Sequence, residues 1–122
     1  SGCKVEDSKL RTAESLCKLI AVYSILAWRI YWMTMINRSS EAAPPLVALS
    51  KQEMKILDLL KPDKNTAKPP TLSTYLIKIA KLGGYLARAH DPPPGNTVMW
   101  RGMARLSEIQ LGVEIGMKLV GN

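Results

Sequence analysis

The sequence predicts an all-α fold, a small bundle of about four main helices with proline-rich connections, and three observations carry that expectation. Apolar residues recur at intervals of three and four along most of the chain. No stretch alternates apolar and polar residues as a half-buried strand does. The prolines gather between the apolar runs, where they punctuate rather than interrupt them. At 122 residues the chain is long enough to hide roughly two thirds of its unfolded surface. It divides into residues 1–45, a long helix plus linker, and residues 46–122, a compact helical part.

The first helix is dominated by LCKLIAVYSILAWRIYWMTMI, from Leu16 to Ile36. Arg11, Glu14, Ser15, Lys18 and Arg29 fall on one side of a helical wheel, so the first half is amphipathic and the second is apolar almost all round. The run is long enough to cross a bilayer. Arg29, however, lies well inside it, where an arginine costs about 2.5 to 3.5 kcal/mol on insertion scales. A basic leader and a small-residue cleavage site are missing too. The expectation is a cytoplasmic protein with no membrane partner, whose first helix needs covering on more than one side.

Ser39 to Pro45 reads as a linker. Ser50 then opens a capping box with Glu53, ahead of the helical run MKILDLL from Met54 to Leu60, which Lys61 and Pro62 end. Pro62 to Pro70 is a basic, proline-bearing loop in which Lys61, Lys64 and Lys68 are either phosphate contacts or plain solvated charges. Thr71 or Ser73 starts the next helix, with Leu72, Leu76, Ile79, Ala80 and Leu86 expected inward and Lys78 and Lys81 at the edge. Gly83 and Gly84 stop it, and DPPPG from Asp91 to Gly95 makes a rigid elbow.

The last helix is expected from Thr97 or Val98 to about Val120. Leu106, Ile109, Val113, Met117 and Val120 form one apolar stripe, and Leu111, Ile115 and Leu119 form a second on the opposite side. One stripe can serve the domain's own core, and the other then needs a partner. Gly112 and Gly116, four residues apart, offer a smooth strip to another helix backbone. An interior glycine costs about 1 kcal/mol relative to alanine, so close packing is the natural offset. Packing of both stripes inside the chain is the competing arrangement.

The net charge of +7 points to an anionic partner, whether nucleic acid, an anionic membrane or an acidic protein surface. Cys3 and Cys17 sit in no CxxC or Cys/His cluster, which suggests free thiols and no zinc site. His90, the one histidine, has no serine or carboxylate placed for it by sequence. Nothing converges into a nucleophile, base and orienting group, so no catalytic residue, cofactor site, metal site or small-molecule substrate is expected. Trp100, at helical spacing with Met103 and Ala104, reads as a core anchor rather than a base-stacking platform.

IAKLGGY from Ile79 to Tyr85, then DPPPG, then WRGMARL from Trp100 to Leu106, preceded by SGCKVED from Ser1 to Asp7, TAESL from Thr12 to Leu16 and AVYSILAWRI from Ala21 to Ile30, carry a resemblance. In this order they resemble the C-terminal region of bacterial insertion-sequence-four, Tn-five-like, cut-and-paste transposases, over nearly the whole chain. The resemblance implies a chiefly dimerising domain that would follow the helix bearing the last catalytic glutamate. It also implies a parent enzyme whose three carboxylates hold divalent metal, Mg or Mn, for phosphoryl transfer. Those carboxylates would lie before Ser1, so the chain itself is not expected to be an enzyme.

The implied partners are a second copy, paired through Leu106, Ile109, Gly112, Val113, Gly116, Met117 and Val120, and transposon-end DNA. Arg88 and His90 stand in the segment that faces DNA in the family, and Lys64, Lys68 and Arg101 extend the basic surface. Arg88 reads equally as an ordinary exposed arginine. Two other classes stay open. A stand-alone basic helical DNA-binding protein needs a recognition helix presenting Arg, Asn or Gln to bases, which no helix here resembles. A membrane-associated helix protein needs Leu16 to Ile36 to enter lipid despite Arg29.

Overall fold

A computed structural model describes residues 2–40, 42–63 and 68–121 of the chain, apart from the side chains of residues 2–5. Helix α1 runs Gly2–Ser39, a short 3-10 turn Pro45–Val47, α2 Lys51–Leu60, α3 Leu72–Leu82 and α4 Asn96–Val120. Among the described residues there is no strand. The fold is thus the expected all-α bundle, with α4 starting one residue earlier than Thr97.

The helix ends follow local chemistry. At α2 the Ser50 hydroxyl accepts from the Glu53 N–H at 3.1 Å while the Ser50 N–H donates to Glu53 Oε1 at 2.9 Å, completing the capping box. At the end of α3, Gly84 takes φ +102°, the Tyr85 N–H donates to the Ala80 carbonyl at 3.0 Å and the Gly84 N–H to that of Lys81 at 3.1 Å. This Schellman arrangement is the reason Gly84 is a glycine. The Arg105 guanidinium, from α4, donates to the Leu82 carbonyl and satisfies another orphan acceptor of the same terminus.

All four α-helices contribute to one core. Leu26, Ile30 and Met33 come from α1, Ile56 and Leu57 from α2, Tyr75, Leu76 and Ile79 from α3, and Met99, Met103 and Leu106 from α4. Helices α3 and α4 pack closest. A Cβ on Gly102 would run into the Ile79 carbonyl, and one on Gly83 into the Val98 carbonyl, so the two backbones touch where those glycines lie. Trp100 packs against the core's edge and meets Tyr23 of α1 edge-to-face at 6.0 Å.

Two ion-pair clusters fasten the helices. Arg29, the cation that breaks the apolar run of α1, forks onto both oxygens of Glu53 at 2.8 Å and onto the Ala48 carbonyl at 3.1 Å. Burial alone would raise the Glu53 carboxyl, but Arg29 and the Ser50 N–H together hold its pKa below the ordinary value. Lys78, expected at the helix edge, is instead buried, with its ammonium 2.7 Å from Asp58 and 2.9 Å from Asp63. The Tyr75 hydroxyl also donates to Asp58, at 3.1 Å. Burial pulls the Lys78 pKa down and the two carboxylates more than reverse it, leaving it raised. Leu86, expected inward, is exposed because α3 has already ended at Leu82 and its helical period no longer applies.

Gly102→Ala is expected to destabilise the fold by about 3 kcal/mol or more, since backbone rather than a flexible side chain blocks the new methyl. Gly112→Ala, in open space, is expected to stabilise the helix by up to about 1 kcal/mol, and urea unfolding at low protein concentration compares the two. Glu53 has its folded pKa below its unfolded one, so its contribution is complete above pH 4.5 and lost as pH falls through the lower folded value. Glu53→Gln should therefore lower stability by about 2 kcal/mol at neutral pH and flatten the acid limb of the stability profile.

Candidate self-association surface

The body of the domain lets go of α4 at Gln110, whose amide donates to Gln52 of α2 at 3.1 Å. Beyond it the helix continues for ten residues to Val120, all of them exposed except Gly116, which is partly covered. Met117 is 63% exposed, Leu119 79% and Val120 87%. Val113, Gly116, Met117, Val120 and Gly121 line a shallow apolar depression on one side. Leu111 and Ile115 lie exposed with Leu119 on the second stripe.

The two apolar stripes therefore do not divide between core and partner along their whole length. Leu106 is fully buried and belongs to the core, so it cannot form part of an intermolecular surface, contrary to expectation. Ile109 is half-buried against the same core. From Leu111 onward both stripes face outward together. Gly112 and Gly116 contrast with Gly83 and Gly102, because a Cβ on either would meet nothing within 4 Å. Their flexibility cost is not offset by packing among the described residues.

A second apolar surface lies on α1. Leu16, Leu19, Ile20, Tyr23 and Ile25 are exposed, and the Trp28 and Tyr31 rings pair on its outside at 5.9 Å. This helix is long and apolar enough to cross a membrane by length and composition. One face is nonetheless committed to its own domain, through Leu26, Ile30 and Met33 in the core and Arg29 on Glu53. The exposed pair of Lys18 with Glu14, at 3.9 Å, is of the kind worth only tenths of a kcal/mol.

The expected DNA-facing residues separate into distinct settings. Arg88 sits in a closed turn after Ala87, whose φ is +54°, and its Nε lies 3.1 Å from Asp91 Oδ1 while its N–H donates to Asp91 Oδ2 at 2.9 Å. Part of its charge is thus answered locally, although the side chain stays exposed. His90 is exposed beside it, Arg101 is exposed on α4, and Lys68 is exposed before α3. Lys61 is half-buried, and Lys64 lies outside the described residues. Cys17 is an exposed free thiol, and the Cys3 side chain lies outside the description. Among the described residues no three His, Cys, Asp or Glu side chains come together in a metal-holding group.

The two ion-pair clusters join residues too far apart in the chain for sequence to pair them. The apolar break at Arg29 is a signal that could have found the first, since a lone cation in such a helix demands a carboxylate. No protein-family model matches the chain, and neither does any curated protein or solved structure. Fold and surface together define a small all-α domain with two apolar helix arms.

Ending the chain after Gln110 is expected to change the unfolding free energy of the monomer by less than about 1 kcal/mol, because the removed side chains contribute nothing to the core. Urea unfolding at low protein concentration, followed by tryptophan fluorescence, measures it.

Proposed function

We propose that the chain is a helix-mediated self-association domain and, on the resemblance of its motifs, the C-terminal dimerising part of a cut-and-paste DNA transposase. One observation carries the first half of this reading. The outer ten residues of α4 expose both apolar stripes around two glycines that have no packing role in the monomer. Contiguous exposed apolar surface of this kind is covered in soluble proteins by a partner. A second helix can approach closely along the strip of Gly112 and Gly116, with Val113, Met117 and Val120 filling the space beside it. Two identical strips meeting about a two-fold axis give a closed pair.

The motifs support the second half. Gly83 of the LGG run and Gly102 of the WRGM run are the two glycines at which α3 and α4 touch, so the residues that carry the resemblance are those the packing requires. In a transposase, pairing of this domain would bring together two catalytic units, each cutting the transposon end held by the other. The positive charge, with Arg88, Arg101, His90 and Lys68 exposed, suits auxiliary contact with the phosphates of that DNA. The divalent metals of such an enzyme have no fitting ligand group among the described residues, and no step of phosphoryl transfer is assigned to this chain.

Light scattering after gel filtration, over a concentration series, tests the reading on this chain and two double variants, Gly112→Leu with Gly116→Leu and Val113→Lys with Met117→Lys. A concentration-dependent dimer is expected, weakened at least about tenfold in both variants with far-ultraviolet helicity retained. A monomer at every concentration, or a dimer indifferent to both variants, overturns it.

A further inference from the structure

A cleft of about 340 Å³ opens where the end of α1, the first turns of α3 and the triple-proline elbow meet. Its volume lies at the lower end of the roughly 300 to 1,000 Å³ usual for small-molecule sites. Its composition is divided. Leu76 and Ile77 from α3, Met99 from α4 and the rings of Pro93 and Pro94 supply apolar walls, while Thr34, Asn37, Arg38 and Ser73 supply polar groups.

Asn37 is the unexplained member. Its side-chain oxygen is shut off from solvent and has no hydrogen-bond partner among the described residues. Buried polar atoms are nearly always paired, so an unpaired one on a cleft wall points to a ligand that pairs it. In its present rotamer the oxygen faces away from the open cleft, and rotation of the amide about χ2 on ligand entry is what brings its donor and its acceptor to bear on one ligand edge. Arg38, in the last turn of α1, is exposed and makes no ion pair among the described residues. Ser73 adds a hydroxyl in the first turn of α3, at the positive end of that helix.

The ligand must offer a flat apolar body for proline and methionine, a donor-and-acceptor edge for an amide, and a negative group for arginine. An adenine nucleotide meets all three requirements. An Asn amide pairs with the amino and ring nitrogens of adenine, Met99 places a thioether beside the ring, and Arg38 answers the phosphate. We propose that this cleft binds an adenine nucleotide, either free or as an unpaired base in a DNA strand. The positive net charge favours such a ligand. The proposal is independent of how two copies pair, because no lining residue lies on α4 beyond Met99.

Calorimetric titration of the whole chain with AMP, adenosine, inorganic phosphate, and single-stranded oligothymidines with and without one central adenine tests it. AMP is expected to bind with Kd below about 1 mM. Asn37→Ala should weaken AMP and adenosine alike by about tenfold, and Arg38→Gln should weaken AMP while leaving adenosine unchanged. Ile77→Trp, which fills the cleft and keeps the amide, should abolish binding, with circular dichroism reporting that each variant is folded. Preference for the adenine-bearing strand over oligothymidine supports the site and assigns it to DNA. Binding of AMP without that preference supports it and assigns it to the free nucleotide. Failure of AMP and of adenine discrimination, inorganic phosphate binding as tightly as AMP, or indifference to Asn37→Ala, overturns the proposal.

Discussion

The backbone contact between α3 and α4 is the constraint on which the rest of this structure depends. Gly102 lies against the Ile79 carbonyl and Gly83 against the Val98 carbonyl, leaving no room for a side chain at either place. At that separation Met103 and Leu106 bury completely together with Ile79. The direction of α4 follows from this fixed seat. The helix is held over its first half and then carries its second half clear of the body, so the exposed outer turns are set by contacts made several turns earlier.

Polar interactions decide how the other helices join this pair. Arg29 would be an uncompensated charge in an apolar helix without Glu53, and Glu53 is available because the capping box has already fixed its rotamer at the start of α2. One carboxylate therefore caps one helix and fastens another. Lys78 plays the corresponding part between α2 and α3, reaching two carboxylates with its ammonium over the Tyr75 ring. Burying such charges brings little net stability but selects one arrangement over others, because leaving either partner unpaired is strongly unfavourable.

The helices and their ends were legible because the signals are local. Ser50 with Glu53, Gly83 with Gly84, and the long period of α4 each announce themselves within a few residues. What escaped depends on residues far apart in the chain. Lys78 looks like an edge lysine until Asp58 and Asp63 are placed beside it, and Leu86 looks inward only if α3 is continued past its glycines. By sequence Leu106 belongs to the partner-facing stripe, because a stripe does not say where the core beneath it ends. The outer strip around Gly112 and Gly116 was readable as two-sided apolar surface, whereas the cleft at Asn37 joins segments nearly sixty residues apart and leaves no trace in either.

The way α1 is held has a mechanical consequence. Its 38 residues form a continuous rod about 57 Å long, gripped by the core between Leu26 and Met33. The far end lies about 40 Å from Arg29, so a tilt of about 10° there sweeps it through about 7 Å. Such a rod is a lever with its fulcrum at the ion pair. Whatever bears on its outer end works with a long moment arm on the seam of α1 with α3 and α4, and small adjustments in that seam become large displacements at the tip.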